Sequence, residues 1–225
     1  MPLGLSALVS AAVLFVGTHF ILSHPARAPL VAKLGEKGFL ALYSLVALIT
    51  LGGMGHAFAK APRGPWLFEP MSDWAWIVAS VLTIVALVLL VGSFRGNPAL
   101  PGSEGKAAGK EPAGVFLITR HPMMWGIAIW GAAHILVMPD ARTFVFMGAF
   151  IVLALAGAAL QDKKKEQLDP AWPEWEAKTS FWPNLSGLAG ASIVTWFVAL
   201  VAWLAITFSH MPLGGIPAGV WRWLG

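Results

Sequence analysis

Six apolar runs constrain this chain more than any other feature, at residues 4–22, 38–58, 74–94, 113–138, 143–160 and 190–208. Each is near the ~20 residues that a helix needs to cross the hydrocarbon of a bilayer. In lipid every backbone N–H and C=O must find a partner inside the protein, so such runs become helices or the strands of a closed barrel. Continuous apolarity, in place of ten-residue segments of alternating character, selects helices. The expected fold is all-α, a polytopic membrane helical bundle of about six transmembrane helices, in a single integral membrane domain over residues 1–225. The composition, 57% hydrophobic and 12% charged with a mean hydropathy of +0.72, excludes a soluble domain. The first run is read as a span and not as a leader to be cleaved, because no positive charge precedes it and it is long for a signal sequence.

The basic residues predict an orientation. Eleven of the fifteen Lys and Arg fall in three segments: Arg27, Lys33 and Lys37 between spans one and two; Arg95, Lys106, Lys110 and Arg120 between three and four; Lys163, Lys164, Lys165 and Lys178 between five and six. Lys60, Arg63, Arg142 and Arg222 lie on the other side. By the positive-inside rule the basic segments face the cytoplasm, and both termini lie on the non-cytoplasmic side of an inner membrane. The net charge of +4 is a topological signal, with no sign of nucleic-acid binding. Cysteine is absent, which excludes disulfides, thiolate metal sites and cysteine nucleophiles. The stretch from Arg95 to Pro112 reads as a flexible connection, rich in Gly and Pro. The segment from Gln161 to Leu185 mixes charges with Trp172, Trp175 and Trp182, as an anchor in the headgroup layer would.

Among six histidines, His24, His56 and His210 sit toward span ends, whereas His19, His121 and His134 fall in or at the mouth of apolar runs. An ionisable residue at membrane depth is costly and points to function, unless it only hydrogen-bonds across helices. The acidic residues all fall in loops or at span ends, so no buried carboxylate is expected beside these imidazoles. Hard cations want oxygen ligands, and zinc or copper usually wants three or four donors. Two imidazoles in an apolar setting suit haem iron. In "ITRHPMMWGIAIWGAAHIL", Met123, Ile127, Trp130, Gly131 and His134 share a helix face, and Gly131 offers either an approach for a flat ring or a close helix contact. Arg120 and His121, with Pro122 suited to a first helical turn, stand at the polar mouth, where a propionate, phosphate or headgroup could meet them.

With these residues in place, the chain resembles the NnrU family of bacterial membrane proteins, which also takes in zeta-carotene isomerase. The likeness rests on "VGTHFILSHPARAPLVAKLGEKGFLALYSLVAL", on "TRHPMMWGIAIWGAAHIL" and more loosely on "EWEAKTSFWP". It implies a core over about residues 4–185, with an extra C-terminal transmembrane helix at about 190–208. It also implies haem b, held by histidines at the positions of His19 and His134; Trp130 and Gly131 on the helix face and Arg120 and His121 at the polar mouth complete the candidate cofactor-binding residues. The isomerase has a cysteine three residues before its second histidine; Gly131 stands there in this chain, so a switch from histidine to cysteine ligation has no ligand. Helical rise alone puts His134 and His19 at different depths, which leaves His121 or His56 as alternative donors. The functions implied are haem-dependent cis-trans isomerisation of a polyene, or a redox or nitric-oxide role in nitrogen-oxide respiration. Two other classes stay open. "RHP" is shared with S-adenosylmethionine-dependent membrane methyltransferases, although "QDKKKEQL" lacks their paired glutamates, and a non-catalytic membrane assembly factor would need no site at all.

Overall fold

The computed structural model describes residues 3–69, 73–100 and 107–224. The connection expected from Arg95 to Pro112, with Lys106, therefore lies partly outside the described residues. The chain forms eight helices among those residues: α1 Leu3–Ser23, α2 Arg27–Lys60, α3 Asp73–Gly92, α4 Pro122–Val137, α5 Ala141–Leu168, α6 Trp172–Lys178, α7 Ile193–Gly214 and α8 Trp221–Leu224. Five of them, α1, α2, α3, α5 and α7, are long and apolar enough to cross a membrane, and α4 is a shorter apolar helix. The protein is a multi-pass helical membrane protein. Its contacts divide it into two compact units, residues 1–70 with 134–153, and residues 71–133 with 154–225.

In the first unit α1 carries no charged residue and buries Leu8, Ala12 and Phe15, which share one face at helical spacing. A tight turn after Ser23 reverses the chain, and α2 returns alongside α1. A Cβ on Gly4 would lie only 3.1 Å from Pro62 and 3.2 Å from the Lys60 carbonyl. Leu8, Ala12 and Phe15 pack with Met54 and Ala149, flanked by Phe58, Phe146 and Phe150. At the same end Leu67 N–H donates to Pro139 O (2.8 Å), and Arg142 Nη1 donates to Ala61 O (3.3 Å).

In the second unit α3 meets α7 and α4. Trp203 Nε1–H donates to Thr83 Oγ1 (2.9 Å), and Gly126 approaches α3 so closely that a Cβ would sit 2.7 Å from Ala86 O. Ser192 caps the start of α7 through Thr195 N–H, and Gly215 ends it at φ 65°. Val88, Leu89, Phe116, Ile118, Trp172 and Trp175 form the core at the other end of α3.

Three expectations are corrected. The apolar run 113–138 is not one helix: a 3₁₀ turn, Gly114–Leu117, opens at φ 61° on Gly114, and α4 starts only at Pro122. Proline favours the first helical turn and disfavours helix at the residue before it. Helix α5 runs past Leu160 to Leu168, since its lysines and glutamate are good helix formers. Trp172 and Trp175 are not headgroup anchors, because both are wholly buried in protein, whereas Trp182 is 68% exposed.

Candidate functional site

The second unit gathers a buried polar cluster at the mouth of α4. Residues 118–125 lie against the strap that follows α6. Asn184 N–H donates to Ile118 O (2.8 Å), Arg120 N–H to Ser180 O (2.8 Å), Thr119 Oγ1–H to Phe181 O (2.7 Å) and Trp125 Nε1–H to Phe181 O (2.8 Å). Gly187 permits this contact, for a Cβ there would stand 2.4 Å from Leu117 O. The strap carries Phe181 to within 5.5 Å of the His121 ring, edge to face, and 5.6 Å under the Arg120 guanidinium.

The carboxylate that serves both side chains comes from α5. Arg120 donates to Asp162 Oδ2 from Nε (2.9 Å) and Nη2 (2.7 Å), and His121 Nε2–H donates to Asp162 Oδ1 (2.7 Å). Arg120 Nη2 also reaches Glu176 of α6 at 3.1 Å. Burial lifts the Glu176 carboxyl above its usual range, helped by the Asp162 and Glu166 carboxylates and opposed by Arg120. Beside the cluster lies a cavity of about 130 Å³ lined by Asn97, Leu100, Arg120, His121, Met123 and Gln161, among others. That is near the ~150 Å³ that holds a benzene and far short of a porphyrin.

Asp162 and Glu176 were not picked out from the sequence. The expectation of no buried carboxylate is corrected: Asp140, Asp162 and Asp169 are all buried. The signal was the pair Arg120 and His121 itself, since a buried guanidinium and a buried imidazole N–H both require an acceptor. Its location 41 residues downstream follows from the extension of α5 beyond its apolar run.

His19 and His134 belong to the first unit; Trp130, Gly131, Arg120 and His121 belong to the second. Gly131 is buried on α4 and Trp130 is half-buried. His56 is exposed. His19 is half-buried near the end of α1; its Nδ1–H donates to Phe15 O (2.7 Å), and its ring meets Phe15 and Tyr43 edge to face at 4.5 and 5.5 Å. This bond leaves Nε2 as the lone-pair nitrogen, and a carbonyl behind Nδ1–H is the usual second contact of a metal-bound histidine. His134 lies in the last turn of α4.

The depth of each follows from contacts within the unit. Phe58 stacks on Phe146, and Phe15 on Phe150 further from the Ala61 end. His19 stands one turn beyond Phe15, whereas His134 is one turn from the Pro139 contact. At ~1.5 Å per residue, helical rise would separate His19 and His134 by roughly 13 Å along the unit. Among the described residues no group of three or more His, Cys, Asp or Glu side chains could hold a metal ion. A haem, which takes one or two nitrogens, is compatible with the donor chemistry at His19; a protein cage for zinc is not.

A helical membrane protein with a buried Arg-His-Asp-Glu cluster and a separate, tautomer-fixed imidazole defines the class. The NnrU family model, described as NnrU protein, matches residues 7–218, and the chain belongs to that family. The match takes in α7. No curated protein and no solved structure matches the chain.

Proposed function

We propose that the protein is a haem b-binding member of the NnrU family, embedded in the inner membrane with both termini on the non-cytoplasmic side, and that His19 is an iron ligand. The observation that carries this reading is the His19 ring: Nδ1–H is fixed on Phe15 O, Nε2 holds a lone pair, and aromatic neighbours surround it. His134 is the second candidate ligand. Haem bound there would be held by His19 and would supply iron for a diatomic such as nitric oxide or for the double bond of a polyene. Arg120 and His121, engaged by Asp162 and Glu176, serve the mouth of α4 and not the iron.

The test is the absorption spectrum of detergent-purified protein from haem-replete cells. A Soret band that shifts on reduction supports the reading, and a shift on carbon monoxide marks an open axial position. The same spectrum of His134→Ala separates the two ligand sets. Conversion from low to high spin assigns His134 as the second ligand, and an unchanged spectrum leaves His19 as the sole protein ligand. A folded protein without a Soret band sinks the haem reading and favours an assembly role.

A further inference from the structure

Six buried side-chain nitrogens or oxygens among the described residues have no hydrogen-bond partner, and three of them belong to the consecutive helices α5 and α6: Lys165 Nζ, Trp172 Nε1 and Trp175 Nε1. All three are donors. Lys165 is 8% exposed, and both tryptophans are at 0%. Lys165 Nζ stands 5.8 Å from the centre of the Trp172 ring, and Lys110 Nζ stands 6.0 Å from that of Trp175. The two indoles are one turn apart on α6 and share one core cluster.

Buried polar groups in native proteins are nearly always paired, and a buried ammonium without a counter-charge costs far more than a neutral group. Asp169, one turn beyond Lys165, accepts the Ala171 N–H at 3.1 Å, and among the described residues Lys165 Nζ makes no hydrogen bond. Cation–π attraction to Trp172 offsets only part of the cost, about 2 kcal/mol at most sites of this kind, and it leaves the indole N–H groups unsatisfied. Two of the other three orphaned atoms have a local reason: Asp140 and Arg142 face each other at 3.6 Å, just too far apart for a hydrogen bond. The α5–α6 group lacks acceptors only. We propose that Lys165, Trp172 and Trp175 form a binding site for a phosphate group, with the ammonium as counter-charge and the two indole N–H groups as neutral donors. The phosphate belongs either to an anionic lipid headgroup or to a soluble phosphate. The site is independent of His19 and of the haem reading.

The experiment uses the full chain, delipidated in neutral detergent and labelled with ¹⁵N-tryptophan. The Trp172 and Trp175 indole resonances are assigned through Phe variants and followed during titration with inorganic phosphate, short-chain phosphatidylglycerol or, as a neutral control, short-chain phosphatidylcholine. Saturable shifts of both resonances are expected. Saturation by phosphatidylglycerol alone assigns a lipid headgroup, and saturation by inorganic phosphate assigns a soluble ion. Lys165→Met should raise the half-saturating concentration by about tenfold or more, as expected for loss of a charged hydrogen bond, while Lys163→Met at an exposed position should not change it. Without phosphate, Lys165→Met should melt no lower than the wild type, because it removes an unpaired buried charge. Should Lys165→Met not fold, Trp172→Phe keeps the ring, removes one donor and should weaken binding a few-fold. The proposal is overturned if neither anion moves the resonances, if Trp172→Phe binds as the wild type does, or if Lys163→Met weakens binding as much as Lys165→Met.

Discussion

Removing the Asp162 carboxylate would leave Arg120 and His121 buried beside the cavity without their acceptor. Breaking one side of a buried ion pair typically costs about 3–5 kcal/mol, so Asp162→Ala should lower the stability of the purified protein by about that much. Arg222→Met removes a pair whose Asp73 side chain is 71% exposed, and it should change stability by less than about 0.5 kcal/mol. Reversible denaturation in mixed micelles measures both, and equal losses would show that the cluster is no tighter than a surface pair. Glu176 gives a pH signature. Its folded-state pKa is raised, so its contribution is full below the unfolded value of about 4.3 and is lost as pH rises through the lifted value. Glu176→Gln should flatten the decline of stability across that window; an unchanged pH profile would show that Glu176 is not the group responsible. The sequence showed Arg120 and His121 and hid their shared carboxylate. Arg120 and His121 are adjacent to Pro122 and stand out against apolar neighbours, whereas Asp162 is one acid in a charged run whose helical phase is invisible to hydropathy.

Elements follow hydrophobicity where the backbone is regular and depart from it where glycine and proline act. Spans one, three and six match α1, α3 and α7 to within a few residues, because an uninterrupted apolar run has one solution in lipid. The run at 113–138 is equally apolar, yet Gly114 and Pro122 divide it into a 3₁₀ turn, an extended piece and a short helix, which frees residues 118–125 to receive the strap at 180–184. That contact depends on the missing side chain at Gly187. Gly187→Ala would press a methyl group into Leu117 O and should cost about 1–3 kcal/mol by overpacking. Loss of protection at the Trp125 indole N–H, measured by hydrogen exchange, should accompany it; wild-type exchange in a destabilised variant would place the damage elsewhere. Helix α2 provides the second case. Gly35 adopts φ 70° and ψ 168°, a conformation open essentially to glycine alone, and Gly35→Ala should cost about 1–3 kcal/mol at the kink. A stability equal to the wild type in the same denaturation assay would mean that the kink is not required.

For the whole molecule, the family and the helical class were both legible from the sequence: the apolar runs define the class, and the quoted motifs carry the resemblance that the match over residues 7–218 shows. The cofactor is a different matter. Apolar patterning cannot report which nitrogen of an imidazole carries the proton, and only the fold reveals that His19 gives Nδ1–H to Phe15 O. Nor can spacing along one helix give the level of His134 relative to His19, because that level depends on the register of α1, α2 and α5 at the Ala61 end. Haem binding therefore rests on His19. Its decisive test is the amount of haem b per chain in wild type and His19→Ala, purified side by side and judged folded by their melting curves. About one haem per wild-type chain is expected, and almost none in the variant. A wild-type protein that folds without haem, or a variant that retains it in full, would contradict it.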